Sequence, residues 1–91
     1  MDKEKFHNEL AMRLGYERIV KDRRVDIVVE ESEEPWVAVK IQGYPEIVRI
    51  KASDTSTITS IPAIQNEINE IANAVHQAYI EANKTINTYN G

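Results

Sequence analysis

The two histidines, His7 and His76, are the residues of this 91-residue chain best suited to acid–base or metal chemistry. Each falls in a segment that the pattern predicts to be helical. Neither has a second histidine or a carboxylate at a metal-binding spacing such as HExxH. This setting is typical of a histidine at the surface or at the margin of a core, with a metal or proton-transfer role as the alternative. The chain has no cysteine, which excludes disulfides, thiolate metal sites and a cysteine nucleophile.

Other catalytic patterns are equally missing from the sequence. The only glycines, Gly15, Gly43 and Gly91, form no phosphate-binding loop, and no serine stands in a nucleophile-elbow motif. Carboxylates are plentiful, but they fall in a predicted loop or on the polar side of a predicted helix. A catalytic carboxylate pair needs burial to separate its two pKa values, and the pattern predicts no such burial. We therefore expect no enzyme activity, no metal or cofactor, and no small-molecule substrate.

Basic residues on neighbouring predicted strands could form a strip that contacts phosphates. The members of this basic strip are Arg23, Arg24, Lys40, Arg49 and Lys51. The alternative is that they pair with carboxylates across the strands. The formal net charge of −4 gives no general attraction to nucleic acid or to an anionic membrane. Nucleic-acid binding is therefore the second hypothesis for this chain, behind protein–protein contact.

An acidic stretch, "EESEEP" at 30–35, connects two predicted strands. Its four glutamates are typical of a solvated connection that keeps a sheet edge from pairing wrongly. The alternative is an acidic lobe that docks on a basic partner.

The elements that would hold these groups follow from periodicity. A short first helix spans "DKEKFHNELAMRLG", with Asp2 as its cap and Gly15 as its stop. A period of two then predicts three half-buried strands in "RRVDIVVEE", "WVAVKI" and "EIVRIKA". The short connections favour an antiparallel meander, and "YERIV" at 16–20 could add a short edge strand. The prediction is one α+β domain over residues 1–91, in the order α-β-β-β-α, with the helices packed on the sheet.

The last third of the chain predicts a long helix from about Pro62 to about Ile86. At 1.5 Å per residue such a helix is about 37 Å long, whereas strands of five or six residues span only about 17–20 Å. The apolar stripe nevertheless continues into the last turns, so a second copy or the first helix must cover it. We expect a homodimer. The candidate interface residues are Trp36, Ala78, Tyr79, Ala82 and Ile86.

Trp36 joins that set because the alternation places it on the strand face opposite Val37. Tryptophan is enriched at the centre of protein interfaces. The alternative is that a helix covers this second face and that Trp36 belongs to the core.

The succession "VAVKIQG", "IVRIKA", a polar loop and an alanine-containing helix resembles the YbaB-type nucleoid-associated proteins over roughly residues 25–82. That resemblance implies a small dimer built from a helix, a three-stranded meander and a helix. The long charged first helix of that family is replaced here by a much shorter segment, and we transfer no residue roles. No apolar run approaches the length of a membrane span, and the charged start lacks the core of a signal peptide. We expect a cytoplasmic protein, and the excess of isoleucine over leucine favours a bacterial or phage source.

Overall fold

A computed structural model describes residues 1–54 and 56–84 of the chain. Two α-helices flank an antiparallel sheet of four strands, so the predicted α+β class and element order are confirmed. The elements are α1 (Lys3–Arg13), β1 (Glu17–Val20), β2 (Arg23–Glu30), β3 (Trp36–Ile41), β4 (Ile47–Lys51) and α2 (Gln65–Asn83), the last preceded by a 3₁₀ turn at Pro62–Ile64. The only candidate site residue outside the described part is Ile86.

The first helix begins and ends where its sequence predicts. The side chain of Asp2 accepts a hydrogen bond from the backbone nitrogen of Lys5 at 3.0 Å, which satisfies one of the free donors of the first turn. Gly15 follows the helix with φ at +71°, a left-handed conformation that favours glycine. Phe6 and Leu10 point into the core, as their spacing of four predicts.

The sheet has the strand order β1-β2-β3-β4, with all neighbours antiparallel. It has one strand more than the three-stranded meander predicted, because the stretch considered as a possible edge strand does pair with β2. The sequence signal for β1 is weak for two reasons. The strand has only four residues. The turn after it is formed by Lys21 and Asp22, which both take positive φ, and it lacks the glycine that usually indicates such a turn in a sequence.

Both helices lie on the same face of the sheet. The alternating residues of β2, β3 and β4 meet the apolar stripe of α2 and the two inward residues of α1 in one continuous core. The largest fully buried side chains include Phe6, Leu10, Ile50, Ile68 and Ile71. The opposite face of the sheet, called the outer face below, carries no helix among the described residues.

The second helix is shorter than the sequence predicts. It ends at Asn83, and Lys84 is already extended, with φ at −65° and ψ at 124°. A helix of this length is about 28 Å long, and α1 runs beside its last turns. The backbone nitrogen of Asp2 donates to the carbonyl of Ala82 at 3.2 Å, which ties the start of α1 to the end of α2. In the described part of the chain, no helix is both long and apolar enough to cross a membrane.

Candidate interaction surface

The outer face is assembled from residues that alternate with the core positions. Cross-strand partners point to the same side of a sheet, so the register defines rows of neighbours on this face. One row contains Asp26, Lys40 and Ile47, the next contains Val28, Ala38 and Arg49, and the last contains Glu30, Trp36 and Lys51. Charged and apolar side chains are therefore interleaved on a surface that neither α1 nor α2 covers.

Apolar side chains lie open on this face. Val28 is 58% exposed and Ile47 is 56% exposed, and both stand on strands whose alternate residues are buried. Ile19 of β1 points to the same side and is also exposed. Single exposed apolar residues need no explanation, but several on one sheet face, set among charged side chains, could serve as the apolar anchors of an interaction site.

Trp36 lies on this outer face and is half-buried. The helices do not cover it. Instead, the guanidinium of Arg49 stands over its ring, 5.1 Å from the centroid, in a cation–π arrangement. A shallow groove beside the ring is lined by Arg49, Lys51 and Ile58, and Ile58 is 92% exposed. Of the two alternatives for Trp36, a position beneath a helix does not occur in the described part of the chain.

The basic strip is divided by the sheet. Arg24, Lys40, Arg49 and Lys51 lie on the outer face, where register and alternation place them. Arg23 faces the other side at the start of β2. It donates to the carbonyl of Gln42 at 3.1 Å and lies over the ring of Tyr44, across the turn that contains Gly43.

Most of the outward cations already have carboxylate partners. Arg24 pairs with Glu17 and, at 3.0 Å, with Asp26, whose hydrogen bond raises the pKa of the guanidinium. Arg49 reaches across β3 to Glu30 through two hydrogen bonds. Such pairing across strands is the alternative that the sequence leaves open for these residues, and it lowers the positive charge available to phosphates.

The acidic connection between β2 and β3 is engaged in similar pairs. Lys51 Nζ lies 3.4 Å from Glu34 Oε2. The pKa of Glu34 is lowered by its hydrogen bond from Ser53 and then by Lys51. Glu30 pairs with Arg49, and Glu31 contacts α1. These glutamates therefore hold the connection against α1 and β4 of the same chain.

Three candidate interface residues lie in the core instead of on a free surface. Ala78 and Ala82 are 0% and 3% exposed because α1 packs against this side of α2. Tyr79 is partly buried and meets Phe6 edge-on, with ring centroids 6.5 Å apart. Of the two covers that the sequence allows for the last turns of α2, the first helix is the one that packs on Ala78 and Ala82. Ile86 lies outside the described residues.

A polar cluster that the sequence does not reveal joins α1, the start of β1 and the acidic connection. The ring nitrogens of His7 lie 2.9 Å from the hydroxyl of Tyr16 and 3.1 Å from Glu31 Oε1. The Tyr16 hydroxyl also donates to the backbone carbonyl of His7 at 3.0 Å. Burial raises the pKa of Tyr16, which opposes its use as a nucleophile. The geometry is that of a clip between elements, and only the folded chain brings its three members together.

The other histidine is fixed in a similar way, with His76 Nδ1 3.1 Å from the carbonyl oxygen of Ala52. Within residues 1–54 and 56–84, no group of three or more histidine, aspartate and glutamate side chains is arranged to hold a metal ion.

Comparison of the chain with protein-family models, with curated proteins and with solved structures finds no match. The resemblance to nucleoid-associated proteins accordingly stays one of element order.

Proposed function

We propose that this chain is a small non-enzymatic protein that acts through protein–protein contacts, that its first assembly is a homodimer, and that the outer face of the sheet makes the contact. The observation that carries the proposal is the set of apolar side chains on this uncovered face. Val28, Ile47 and Trp36 lie there together, while the side chains of the two helices that face the sheet are buried. Interfaces of this kind combine a few apolar anchors with surrounding charges.

The proposed contact surface is the outer face of the sheet, whereas the sequence predicts contacts mainly at the end of α2. Apolar groups on the outer face are accessible without unfolding, whereas Ala78 and Ala82 would become accessible only if α1 left its place. Trp36 remains from the set predicted by sequence, because it is the aromatic residue that projects from the strands on this side.

Nucleic-acid binding through the basic strip is the second candidate. It is favoured by the common orientation of Lys40, Arg49 and Lys51 on β3 and β4. It is opposed by the carboxylates on the same face, because few phosphates could be neutralised without repelling Asp26 and Glu30. Binding to generic duplex DNA below micromolar concentration that is lost in Arg49→Glu with Lys51→Glu would reverse this ranking.

The cytoplasmic location of the protein stays a prediction.

The test is photo-crosslinking in the organism that encodes the chain. A photoreactive phenylalanine analogue replaces Val28 on the outer face or, as a matched control, exposed Asn73 on α2. We expect the Val28 position to crosslink to protein and the Asn73 position to give little or none. Equal crosslinking at both positions, or none at Val28, would show that the outer face is not a protein-contact surface.

A further inference from the structure

The charges on the outer face are sorted by sign into two halves. The half formed by β1 and β2 carries three carboxylates and one guanidinium, and the half formed by β3 and β4 carries three cations. The first set is Glu17, Asp26, Glu30 and Arg24, and the second set is Lys40, Arg49 and Lys51. The outward strand positions thus have formal charges of −2 on the acidic half and +3 on the basic half.

We propose that the occupant of the outer face is a second copy of this chain, packed sheet to sheet about a two-fold axis that runs parallel to the strands between β2 and β3. This inference rests on the proposed function and specifies its partner and geometry. A two-fold contact uses the same patch on both copies. Rotation about this axis places the acidic half of each copy on the basic half of the other, whereas an axis across the strands would place acid on acid.

The same rotation preserves the rows of the sheet. Asp26 of one copy then lies over Lys40 of the other, and Val28 lies over Ala38, because each of these is a cross-strand pair within one chain. Ala38 has the smallest side chain on this face, so it leaves a hollow that Val28 can fill. Two sheets packed face to face keep their strands within about 30° of each other, which is compatible with this arrangement.

Partners of a single sign fit this face less well. A polyanion would attract the basic half but meet the carboxylates of β1 and β2, and a cationic protein would meet the opposite mismatch. The pairs already formed within the chain, such as Arg49 with Glu30, are solvent-exposed. Exposed pairs contribute little to stability because water and salt screen the charges, so these side chains can exchange partners at little cost when two copies meet.

The contact is small. Strands spaced about 4.8 Å apart, with about 3.3 Å per residue, give a four-stranded face of roughly 400 Å² in projection, below the roughly 800 Å² per partner of a standard interface. We therefore expect a dimer that dissociates in the micromolar range and weakens as salt screens the opposed halves.

The absence of native cysteine allows a direct test. Val28→Cys and Ala38→Cys variants are purified separately, mixed in equal amounts and oxidised gently, and the disulfide species are counted by mass spectrometry. Each chain carries one thiol, so every disulfide joins two chains. We expect the mixed Val28→Cys/Ala38→Cys species to exceed random pairing several-fold. Asn73→Cys, on the exposed side of α2, gives the background for chance collisions.

Charge reversal gives a second arm. Lys40→Glu with Lys51→Glu makes the whole face acidic, and Glu17→Lys with Asp26→Lys makes it basic. We expect each double variant to associate several-fold more weakly than the wild type and an equal mixture of the two to recover association. Double variants that associate as well as the wild type would overturn the opposed-halves arrangement.

The outcomes separate this inference from the proposed function. A dominant Val28→Cys homodisulfide would overturn the strand-parallel axis while leaving the outer face as the contact surface. Disulfide yields no higher than those of Asn73→Cys would remove the second copy from this face. In that case the homodimer falls, whereas a protein-contact role for the outer face stands if the photoreactive residue at position 28 crosslinks a different protein and falls if that residue crosslinks none.

Discussion

A single lysine connects the turn between β1 and β2 to the second helix. Lys21 Nζ lies 2.7 Å from Glu67 Oε1, and the Glu67 side chain is only 12% exposed. The second carboxylate oxygen of Glu67 is buried and has no hydrogen-bond partner among the described residues. The hydrogen bond from Lys21 lowers the pKa of Glu67 from its ordinary value of 4.5. Because the carboxylate has little access to water, it depends on this one cation.

We predict that Lys21→Met lowers the free energy of unfolding at neutral pH more than the matched change Lys84→Met. Both lysines are similarly exposed, but Glu81, the partner of Lys84, is 31% exposed and can be solvated when the cation is lost. Urea denaturation of the two variants and the wild type measures the difference. Equal losses in both variants would show that the burial of Glu67 contributes nothing.

The pH dependence of the Lys21 pair has a defined sign. A carboxylate whose pKa is lower in the folded state stabilises the fold above its ordinary pKa, and this contribution disappears as the pH falls through the folded pKa. The stability gap between wild type and Lys21→Met should therefore close on acidification below 4.5. A gap that keeps its size in strong acid would contradict the assignment.

Two turns of the sheet take positive φ, but only one of them has a glycine at that position. Lys21 and Asp22 both have positive φ in the tight turn between β1 and β2, and neither is glycine. Gly43 has φ at +91° in the turn before β4, and a Cβ atom there would meet the guanidinium of Arg23.

We predict that Asp22→Gly raises the free energy of unfolding by about 0.5–1 kcal/mol, because glycine takes positive φ at no steric cost. Gly43→Ala should lower it by about 1 kcal/mol or more, since an alanine is strained there. Thermal unfolding of both variants measures the effect, and shifts of the same sign would refute the backbone argument.

The packing of α1 on α2 buries the described residues of the apolar stripe within one chain. Ala78 is fully buried within one chain, so a larger side chain must push the helices apart. We predict that Ala78→Leu costs roughly 1–3 kcal/mol of folding stability and leaves the dissociation constant of the dimer unchanged. An Ala78→Leu variant that is as stable as the wild type but no longer associates would show that the apolar stripe of α2 belongs to the dimer interface.

The local pattern of apolar residues predicts most of the fold. The spacing of Val25 and Ile27 on one strand and of Ile68 and Ile71 on the last helix predicts the buried faces, because period and burial are linked within one element. The strand β1 is harder to predict from the sequence because the turn after it lacks glycine. The role of Ala82 depends on where α1 docks, and that is set by contacts between distant parts of the chain.

The candidate site was predictable only in part. Alternation alone places Trp36 and Arg49 on the face opposite the core, but it does not say whether a helix covers that face. The sorting of charge into halves requires the register of the strands. The contacts of His7 with Tyr16 and Glu31 join three separate elements, so no spacing in the sequence indicates them.

The two faces of the sheet differ in what they expose. One face is closed by both helices and forms the hydrophobic core. The other carries open apolar groups between charges of both signs. We infer that assembly uses the open face, because contact there requires no rearrangement of the core.

Sedimentation equilibrium over a concentration series shows whether the outer face makes the dimer contact, with wild type, Val28→Glu and the control Asn73→Glu measured side by side. Substitutions in strands differ by about 1 kcal/mol in stability, and circular dichroism checks that all three proteins are folded. We predict a micromolar monomer–dimer equilibrium for the wild type and Asn73→Glu, and at least about tenfold weaker association for Val28→Glu, equivalent to about 1.4 kcal/mol. A wild type that stays monomeric at about 100 µM, or a Val28→Glu variant that associates as tightly as the wild type, would contradict the account.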